Sequence, residues 1–340
     1  MTLSAAEEKI LDSIVIASDN DPKKPEFPPG NPKFPATLTF KMNVPGFSNV
    51  HLKDESQNPT GTHKDRMAWE IVVTYKQLLL AKKSGRIKDL PHMSIISSGS
   101  AANAIQQMLK KYRLPNLKAL VDHRINEKIK HNLEKIGCEV YETDLSKQIL
   151  SKEDILKLTN NLDGIDITSD DSLEPYDIFY DWMSYEILNE NPQYVFVPYG
   201  TGHLYENIVN IAVREAKTLL IHDKRFYGEI KTVRNCNFLG ATTNNPNTSA
   251  DKLFSPHLPF VHFDTRWIKL AISKGYIGPE SNVYTVQEQY LDEALKIAES
   301  QGINCESSGI AGLALLLQMK NSIPKNAKIL IVNTGKTKYQ

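Results

Sequence analysis

The feature that most constrains the fold of this chain is an alternation of short apolar runs with longer helical stretches, which begins at about residue 49. The runs are rich in aliphatic residues, as strands are, whereas the stretches between them carry helical spacing. Strands that alternate with helices predict βαβ units and a mostly parallel sheet, and so an α/β fold. The predicted strands are 50–53, 93–97, 117–122, 138–142, 194–198, 237–241, 282–285 and 328–333. The predicted helices are 64–84, 101–112, 125–136, 151–160, 177–190, 204–217, 287–301 and 308–319.

The order of these elements predicts two domains, one of them inserted into the other. The first part of a larger domain is expected at residues 1–85, with an N-terminal extension that begins as an amphipathic helix. A proline-rich connector at 23–35 is expected to be extended, because proline fixes φ and disfavours helix in the residue before it. A smaller α/β domain is expected at 86–172, before the second part of the larger domain at 173–340.

The composition is that of a soluble globular protein and excludes several classes of function. Of the 340 residues 41% are hydrophobic, which is enough for a sizeable core. Lys and Arg total 40 and Asp and Glu total 40, so no basic excess supports broad binding to nucleic acid or anionic membranes. We expect neither a membrane-spanning segment nor a secretory leader. Its three separated cysteines fit a reducing compartment, and we expect a cytoplasmic protein.

The first candidate site is the segment KDESQNPTGTHKDR at 53–66, where a strand ends, a tight turn follows and a helix starts. Lys64 falls in the first turn of that helix, where the helix dipole disfavours a cation. A lysine in this place is biased towards the neutral amine, which imine chemistry requires. The other interpretation is an ordinary surface lysine on a first turn.

The second candidate site follows the second predicted strand and opens the next helix. Its residues are Ser97, Ser98, Gly99, Ser100 and Ala101. Small residues at a helix N-terminus expose backbone N–H groups, which can bind a carboxylate. The alternative is a serine-rich helix cap that binds no ligand.

The third candidate site follows the predicted strand 194–198. Its residues are Gly200, Thr201, Gly202, His203 and Leu204. A strand, a glycine-containing turn and a helix N-terminus together form a cup for a phosphate group. Tyr205 stands at the last glycine position of the dinucleotide-binding pattern, which argues against a dinucleotide site.

A Gly-Lys-Thr sequence at 335–337 is similar to the end of a nucleotide-triphosphate loop. Leu330 occupies the position of the first glycine that such a loop requires, so we reject this interpretation. The sequence also lacks the H-E-x-x-H, C-x-x-C and calcium-loop patterns, and no metal site is predicted.

Taken in this order, the segments resemble those of the pyridoxal-phosphate-dependent enzymes of fold type II, the tryptophan synthase β-like family. The resemblance covers roughly residues 35–338 and is most specific at 53–66, which looks like the lysine segment of threonine synthases and dehydratase-like relatives. Two further segments, 174–187 and 302–309, also look like parts of this family. The resemblance implies a two-domain fold with three-layer α/β/α sheets and pyridoxal 5'-phosphate as the cofactor.

The resemblance implies a role for each candidate residue. Lys64 would bond covalently to the cofactor aldehyde and then act as the base that removes the α-proton of a bound amino acid. His63 would approach the cofactor phosphate, which the segment from Gly200 to Leu204 would hold through backbone N–H groups. The segment from Ser97 to Ala101 would hold the substrate carboxylate, and Ser100 would lie beside the cofactor ring.

Two positions depart from the pattern of that family. Ser100 stands where the family usually has an asparagine beside the ring, and Asn103 lies about one helical turn too far along the chain to replace it. His203 stands where glycine is common, and histidine would be strained there if the position required a positive φ. A long connection at 217–234 is expected to reshape the entrance to the site.

The resemblance also places Thr334 at the pyridine nitrogen of the cofactor. A neutral hydroxyl cannot stabilise a protonated pyridine as a carboxylate would, which favours loss of a β- or γ-substituent over transamination. We therefore expect a lyase or synthase that acts on a small hydroxy amino acid or its activated derivative. Threonine synthase-like, serine/threonine dehydratase-like and cysteine synthase-like activities all stay open.

The alternative is a catalytically degenerate protein of the same fold, which would act as a binding or regulatory module. Ser100 and His203 favour this alternative, whereas the intact segment around Lys64 argues against it. A third interpretation is a subunit that a partner activates. Members of the family are commonly homodimers, so the resemblance implies a homodimer with a small amino acid as its ligand.

Overall fold

The computed structural model describes residues 3–19, 34–168, 179–221, 233–254 and 266–339. Three features of the sequence fall wholly or mostly outside these residues: the connector at 23–35, the start of the segment 174–187 and the connection at 217–234.

Ten strands, numbered in chain order, form two sheets within the described residues. They are β1 (Thr39–Met42), β2 (Val50–Asp54), β3 (Met93–Ile96), β4 (Lys118–Asp122), β5 (Glu139–Thr143), β6 (Ile165–Asp166), β7 (Tyr194–Pro198), β8 (Asn237–Thr242), β9 (Asn282–Thr285) and β10 (Ile329–Asn333). The large sheet has the order β1-β2-β10-β7-β8-β9, and the small sheet has the order β5-β4-β3-β6. Only β1 runs antiparallel to its neighbour, so the mostly parallel α/β fold predicted from the sequence is confirmed.

The described part of the chain also forms ten α-helices. They are α1 (Ala5–Asp19), α2 (Lys64–Lys83), α3 (Ser100–Tyr112), α4 (Glu127–Ile136), α5 (Lys152–Leu158), α6 (Asp181–Asn189), α7 (His203–Ile221), α8 (Arg266–Ser273), α9 (Glu288–Ser300) and α10 (Ala311–Gln318). None of these described helices combines the length and the apolar character that crossing a membrane requires.

Three of these elements were not expected from the sequence. The strand β1, TFKM, is a partly buried edge strand that pairs with β2 alone, so no continuous apolar run marks it. The strand β6 has two residues, too few for any periodicity. The helix α8 has eight residues, of which Ile268 and Ala271 are buried, and so short a pattern is hard to recognise.

The core lies on both faces of the large sheet. Along β10, Leu330 and Val332 pack into one apolar cluster, while Ile329 and Ile331 pack into the other. This alternation is the two-residue period of a strand, and burial of both faces explains why a parallel strand reads as a continuous apolar run. The sheet is therefore a central layer. The ends of its parallel strands, and the loops that follow them, lie at one edge.

The small sheet is built entirely from residues between 93 and 166, which the strands of the large sheet precede and follow in the chain. The domain limits 1–85, 86–172 and 173–340 stay a prediction, and the second boundary lies outside the described residues.

Candidate active site

Three neighbouring strands of the large sheet bring three of the predicted site segments together. In β2 and β10 Asp54 is in register with Asn333, and β7 lies parallel to β10 on its other side. Parallel strands end at the same edge of a sheet, where ligands of α/β proteins commonly bind. The segment of Lys64 follows β2, Thr334 follows β10, and the glycine segment follows β7.

Lys64 is the first residue of α2, as the sequence predicts. Its Nζ donates a hydrogen bond to the hydroxyl of Tyr180 at 2.8 Å and lies 5.4 Å from the centre of that ring. Tyr180 is the buried residue directly before α6. No sequence pattern points to Tyr180, because its contact with Lys64 joins residues 116 positions apart.

The turn before Lys64 is held by polar contacts and by one glycine. The side chain of Asp65 accepts hydrogen bonds from the backbone N–H and the hydroxyl of Thr60, at 3.0 and 2.7 Å. Gly61 has φ of +83°, and a Cβ placed there would lie 2.3 Å from the carbonyl oxygen of Lys336. Only glycine fits that close approach, so any other residue at position 61 would displace the turn that precedes Lys64.

A buried ionic network ties this segment to α6. The guanidinium of Arg66 donates to Glu55 at 2.7 Å and to Glu186 of α6 at 2.8 Å. Burial opposes the charge of Glu55, but the adjacent guanidinium outweighs burial and lowers the pKa of Glu55 to about 2. Since Glu186 and Tyr180 belong to the same stretch of chain, the network positions the tyrosine that contacts Lys64.

Two histidines beside Lys64 are neutral. Burial, reinforced by the charge of Lys64, lowers the pKa of His63 to about 3 and that of His203 to about 4. The backbone N–H of His63 donates to the carbonyl oxygen of Thr334 at 3.2 Å, which joins the segment of Lys64 to the end of β10.

His203 is not strained. It is the first residue of α7, and the non-glycine residues with positive φ in the described ranges are Arg113, Asn160 and Asn191. The condition under which histidine would be unfavourable at this position is therefore not met.

The glycine segment from Gly200 to Leu204 lies where β7 ends and α7 begins. Gly202 has φ of +91°, and a Cβ there would lie 2.7 Å from the hydroxyl of Tyr199. A Cβ at Gly200 would lie 2.5 Å from the carbonyl oxygen of Lys252. Both positions need glycine, and the first N–H groups of a helix have no partner within it. With Thr201, His203 and the buried Leu204 they form the predicted segment, at the N-terminus of a long helix.

The serine segment from Ser97 to Ala101 follows β3 of the small sheet and includes the first two residues of α3. The hydroxyl of Ser97 accepts from the N–H groups of Gly99 and Ala102, at 3.0 and 3.2 Å, so Ser97 acts as a cap. Ser98 and Ala101 complete the turn.

Residues of the chain terminus contact this segment. The hydroxyl of Ser100 lies 2.6 Å from that of Thr337, and the side-chain amide of Asn103 donates to the carbonyl oxygen of Lys338 at 3.4 Å. Asn103 therefore contacts residues near the end of the chain, and the expectation that it does not replace the usual ring-contacting asparagine stays a prediction.

Solved structures of pyridoxal-phosphate enzymes share the fold of this chain. Diaminopropionate ammonia lyase from Escherichia coli has a TM-score of 0.63 at 12% identity, covering 98% of this chain and 89% of that one. A pyridoxal 5'-phosphate-dependent aspartate racemase has a TM-score of 0.61 at 16% identity, covering 98% and 97%. A threonine deaminase from T.th. has a TM-score of 0.56 at 17% identity, covering 97% and 98%. Identities this low establish a common fold and leave the reaction open.

No curated protein sequence is significantly similar to this chain. Residues 40–335 match the family described as pyridoxal-phosphate dependent enzyme, a match that includes all three candidate segments and both sheets. The predicted resemblance and the predicted cofactor are thereby confirmed, and the chain belongs to the family of pyridoxal-phosphate-dependent enzymes.

Proposed function

We propose that this protein is a pyridoxal-phosphate-dependent lyase or synthase that removes the α-proton of a small hydroxy amino acid, or of its activated derivative, and eliminates or replaces a β- or γ-substituent. The observation that carries the proposal is the amine of Lys64 at the start of a helix, 2.8 Å from the hydroxyl of Tyr180 and beside two neutral histidines. A reactive amine, an anion cup and a carboxylate-binding segment are what this chemistry requires.

The residues present fit the cofactor. The segment from Gly200 to Leu204 would take its phosphate, because it lies at the N-terminus of α7, which attracts an anion and whose first N–H groups have no acceptor within the helix. His63 would approach that phosphate, Ser100 would lie beside the ring, and Thr334 would face the pyridine nitrogen. When bound, pyridoxal phosphate supplies an electron sink for the charge left on the α-carbon.

Lys64 is the residue of the chain that would move a proton in this reaction. Its Nζ would accept the α-proton of the substrate, with Tyr180 orienting the amine through the hydroxyl that it already contacts. Because His63 and His203 are uncharged, neither opposes a positive charge on the amine of Lys64. The segment from Ser97 to Ala101 would hold the carboxylate of the amino acid and so fix the α-hydrogen in front of Lys64.

Two names among the structures of the same fold support loss of a substituent, namely the ammonia lyase and the threonine deaminase. Identities of 12% and 17% carry the fold alone, so these two structures do not decide which substrate this chain uses.

The test begins with the cofactor. Purified protein incubated with pyridoxal phosphate should develop a visible absorption band, and borohydride reduction should place the cofactor mass on the peptide that contains Lys64. Lys64→Ala should lose the band and keep its circular dichroism spectrum. Lys83→Ala is the matched control, because Lys83 lies at the other end of the same helix and is half exposed beside Glu8.

The second step is a screen of amino acids for spectral change and product. L-serine, L-threonine and their O-phospho and O-acetyl derivatives should shift the band and release ammonia with a keto acid, or form a new amino acid when a thiol is added. A stable band without any response to amino acids would contradict the enzyme and select the binding module. A response without loss of a substituent would select α-proton exchange, as in a racemase.

A further inference from the structure

Lys252 lies in the loop that follows β8, and its backbone packs against two other loops of the site. A Cβ added at Gly200 would lie 2.5 Å from the carbonyl oxygen of Lys252, so the loop lies close against the glycine segment. The N–H of Lys252 donates to the hydroxyl of Ser308 at 3.1 Å, and that hydroxyl donates to Asp251 at 3.4 Å. Lys252 therefore reaches the site from β8, the neighbour of β7, and is outside the three candidate segments.

The ammonium of Lys252 contacts groups from two further parts of the chain. It pairs with the carboxylate of Glu306, and it donates to the hydroxyl of Thr337 at 3.1 Å. The side chains of Lys252 and Glu306 are 23% and 25% exposed, so water screens the charge only in part. The hydroxyl of Thr337 lies 2.6 Å from that of Ser100, the first residue of α3. A chain of polar contacts thus joins Lys252 to Ser100.

The chemistry of these groups gives the contacts a direction. An ammonium only donates hydrogen bonds, whereas a hydroxyl has one proton and two acceptor sites. Thr337 accepts from Lys252, so its own proton is available to Ser100, and the proton of Ser100 is then available to a further acceptor. The positive charge favours this direction over the reverse, because it repels hydroxyl hydrogens and polarises successive hydrogen bonds.

The hydroxyl of Tyr339 also interacts with those of Ser100 and Thr337. Burial raises the pKa of Tyr339 to about 12, so this group is a neutral hydroxyl at neutral pH and adds a proton of its own. The cluster therefore holds three hydroxyl protons beside one ammonium. Such a cluster attracts an anionic oxygen, to which Ser100 can turn its proton.

One polar atom of pyridoxal phosphate has no partner in the proposed function. The phosphate is assigned to the glycine segment, the ring nitrogen to Thr334 and the aldehyde to Lys64. The remaining group is the ring hydroxyl beside the aldehyde carbon, which is phenolic and ionises readily. Since Ser100 is expected beside the ring, its proton has this oxygen as an acceptor.

We propose that Lys252 is a positioning residue for the cofactor, whose ammonium acts through Thr337 to make Ser100 a hydrogen-bond donor to the ring oxygen of pyridoxal phosphate. A lone serine hydroxyl rotates freely, whereas an asparagine amide at this position would be a donor without help. The chain from Lys252 thus compensates for Ser100 in place of asparagine. This inference rests on the proposed function and adds a residue to it.

The test compares the cofactor with 3-deoxypyridoxal phosphate, which lacks only the ring hydroxyl. Wild-type protein freed of cofactor and Lys252→Met are titrated with both compounds, and dissociation constants are read from absorption and calorimetry. Loss of a hydrogen bond to a charged group should weaken binding of pyridoxal phosphate about tenfold or more, and binding of the 3-deoxy compound by much less. Both compounds carry the same phosphate, so a general loss of positive charge would weaken both alike.

A double-mutant cycle tests whether Lys252 acts through Thr337. Thr337→Val should weaken binding of pyridoxal phosphate as Lys252→Met does, and the double variant should bind it no more weakly than either single variant. Lys252→Arg keeps the charge and should retain most of the preference for the ring hydroxyl. Lys296→Met is the control, because it removes the same charge from an exposed position of α9.

The outcomes separate the two proposals. If wild-type protein does not take up pyridoxal phosphate, the proposed function fails. If it does, and Lys252→Met binds both compounds as tightly as wild type or weakens both alike, the role of Lys252 is overturned while the proposed function stands. Fully additive losses in the double variant would also overturn the proposal, because Lys252 would then act without Thr337.

Discussion

The amine of Lys64 is surrounded by its chain neighbour His63 and by two residues that lie far from it in the chain. Tyr180 contributes its hydroxyl at 2.8 Å, while His63 and His203 contribute uncharged rings. At the scale of single residues, therefore, the site is a lysine whose amine is positioned by its neighbours.

Tyr180→Phe should lower kcat about tenfold and leave cofactor attachment intact. The substitution removes the hydroxyl that orients Nζ of Lys64, while the ring still packs beside His63 with centroids 5.3 Å apart. The visible spectrum measures attachment, and steady-state kinetics measures kcat. Loss of the absorption band in Tyr180→Phe would instead assign the hydroxyl to cofactor binding.

At the scale of elements, buried charged side chains join α2 to α6. The network of Arg66, Glu55 and Glu186 is compensated, because Arg66 faces both carboxylates and the buried ammonium of Lys53 faces Glu186. Farther along α2, Glu70 is not compensated: its Oε2 is buried without a hydrogen-bond partner among the described residues, and Asp181 at the start of α6 lies nearby. Burial, and then the charge of Asp181, raises the pKa of Glu70 to about 8.

Glu70→Gln should make the protein less sensitive to pH. The folded state holds the proton of Glu70 up to about pH 8, whereas the unfolded state releases it near pH 4.5. The stability that the protonated group contributes is therefore complete below pH 4.5 and is lost as the pH rises towards 8.

Urea unfolding of wild-type protein and Glu70→Gln at pH 5, 6.5 and 8 measures this effect. The free energy of unfolding of the wild type should fall by on the order of 2 kcal/mol more than that of the variant over this range. Parallel pH profiles for the two proteins would contradict a raised pKa for Glu70.

At the scale of the whole molecule, the site joins the two sheets. Lys64, Thr334 and the cup before α7 follow strands of the large sheet, whereas the serine segment follows β3 of the small one. Lys336 and Thr337, which follow β10, contact both parts, the first through Gly61 and the second through Ser100. A cofactor bound at this junction contacts groups that come together only in the native state.

Pyridoxal phosphate should therefore stabilise the protein by mass action. At a concentration one hundred times its dissociation constant, the free energy of unfolding should rise by about 2.7 kcal/mol, measured by thermal or urea unfolding. Pyridoxal, which lacks the phosphate, should stabilise it less at equal concentration, because it does not occupy the helix N-terminus of α7. Equal stabilisation by the two compounds would exclude the cup from Gly200 to Leu204 as the phosphate site.

A homodimer and a cytoplasmic location stay predictions. Sedimentation velocity measures the oligomeric state.

The sequence by itself determined most of the elements and the α/β class. Strands such as β7 and β10 are buried on both faces, so local apolar runs marked them, and glycines at positions 61, 200 and 202 marked turns whose backbone admits no side chain. Patterns of this kind can be recognised in a sequence because the residues that cause them lie within a few positions of one another. The order of the segments was also enough to recognise the family.

Only the tertiary structure decided which residues meet. The contact of Tyr180 with Lys64, the neutral state of His203 and the contact of Thr337 with Ser100 each depend on burial or on contacts between distant segments. Burial and charge are properties of a packed volume, and an isolated segment does not contain them. The same reason explains why β1 and β6 were missed, since their pairing partners stabilise them more than their own residues do.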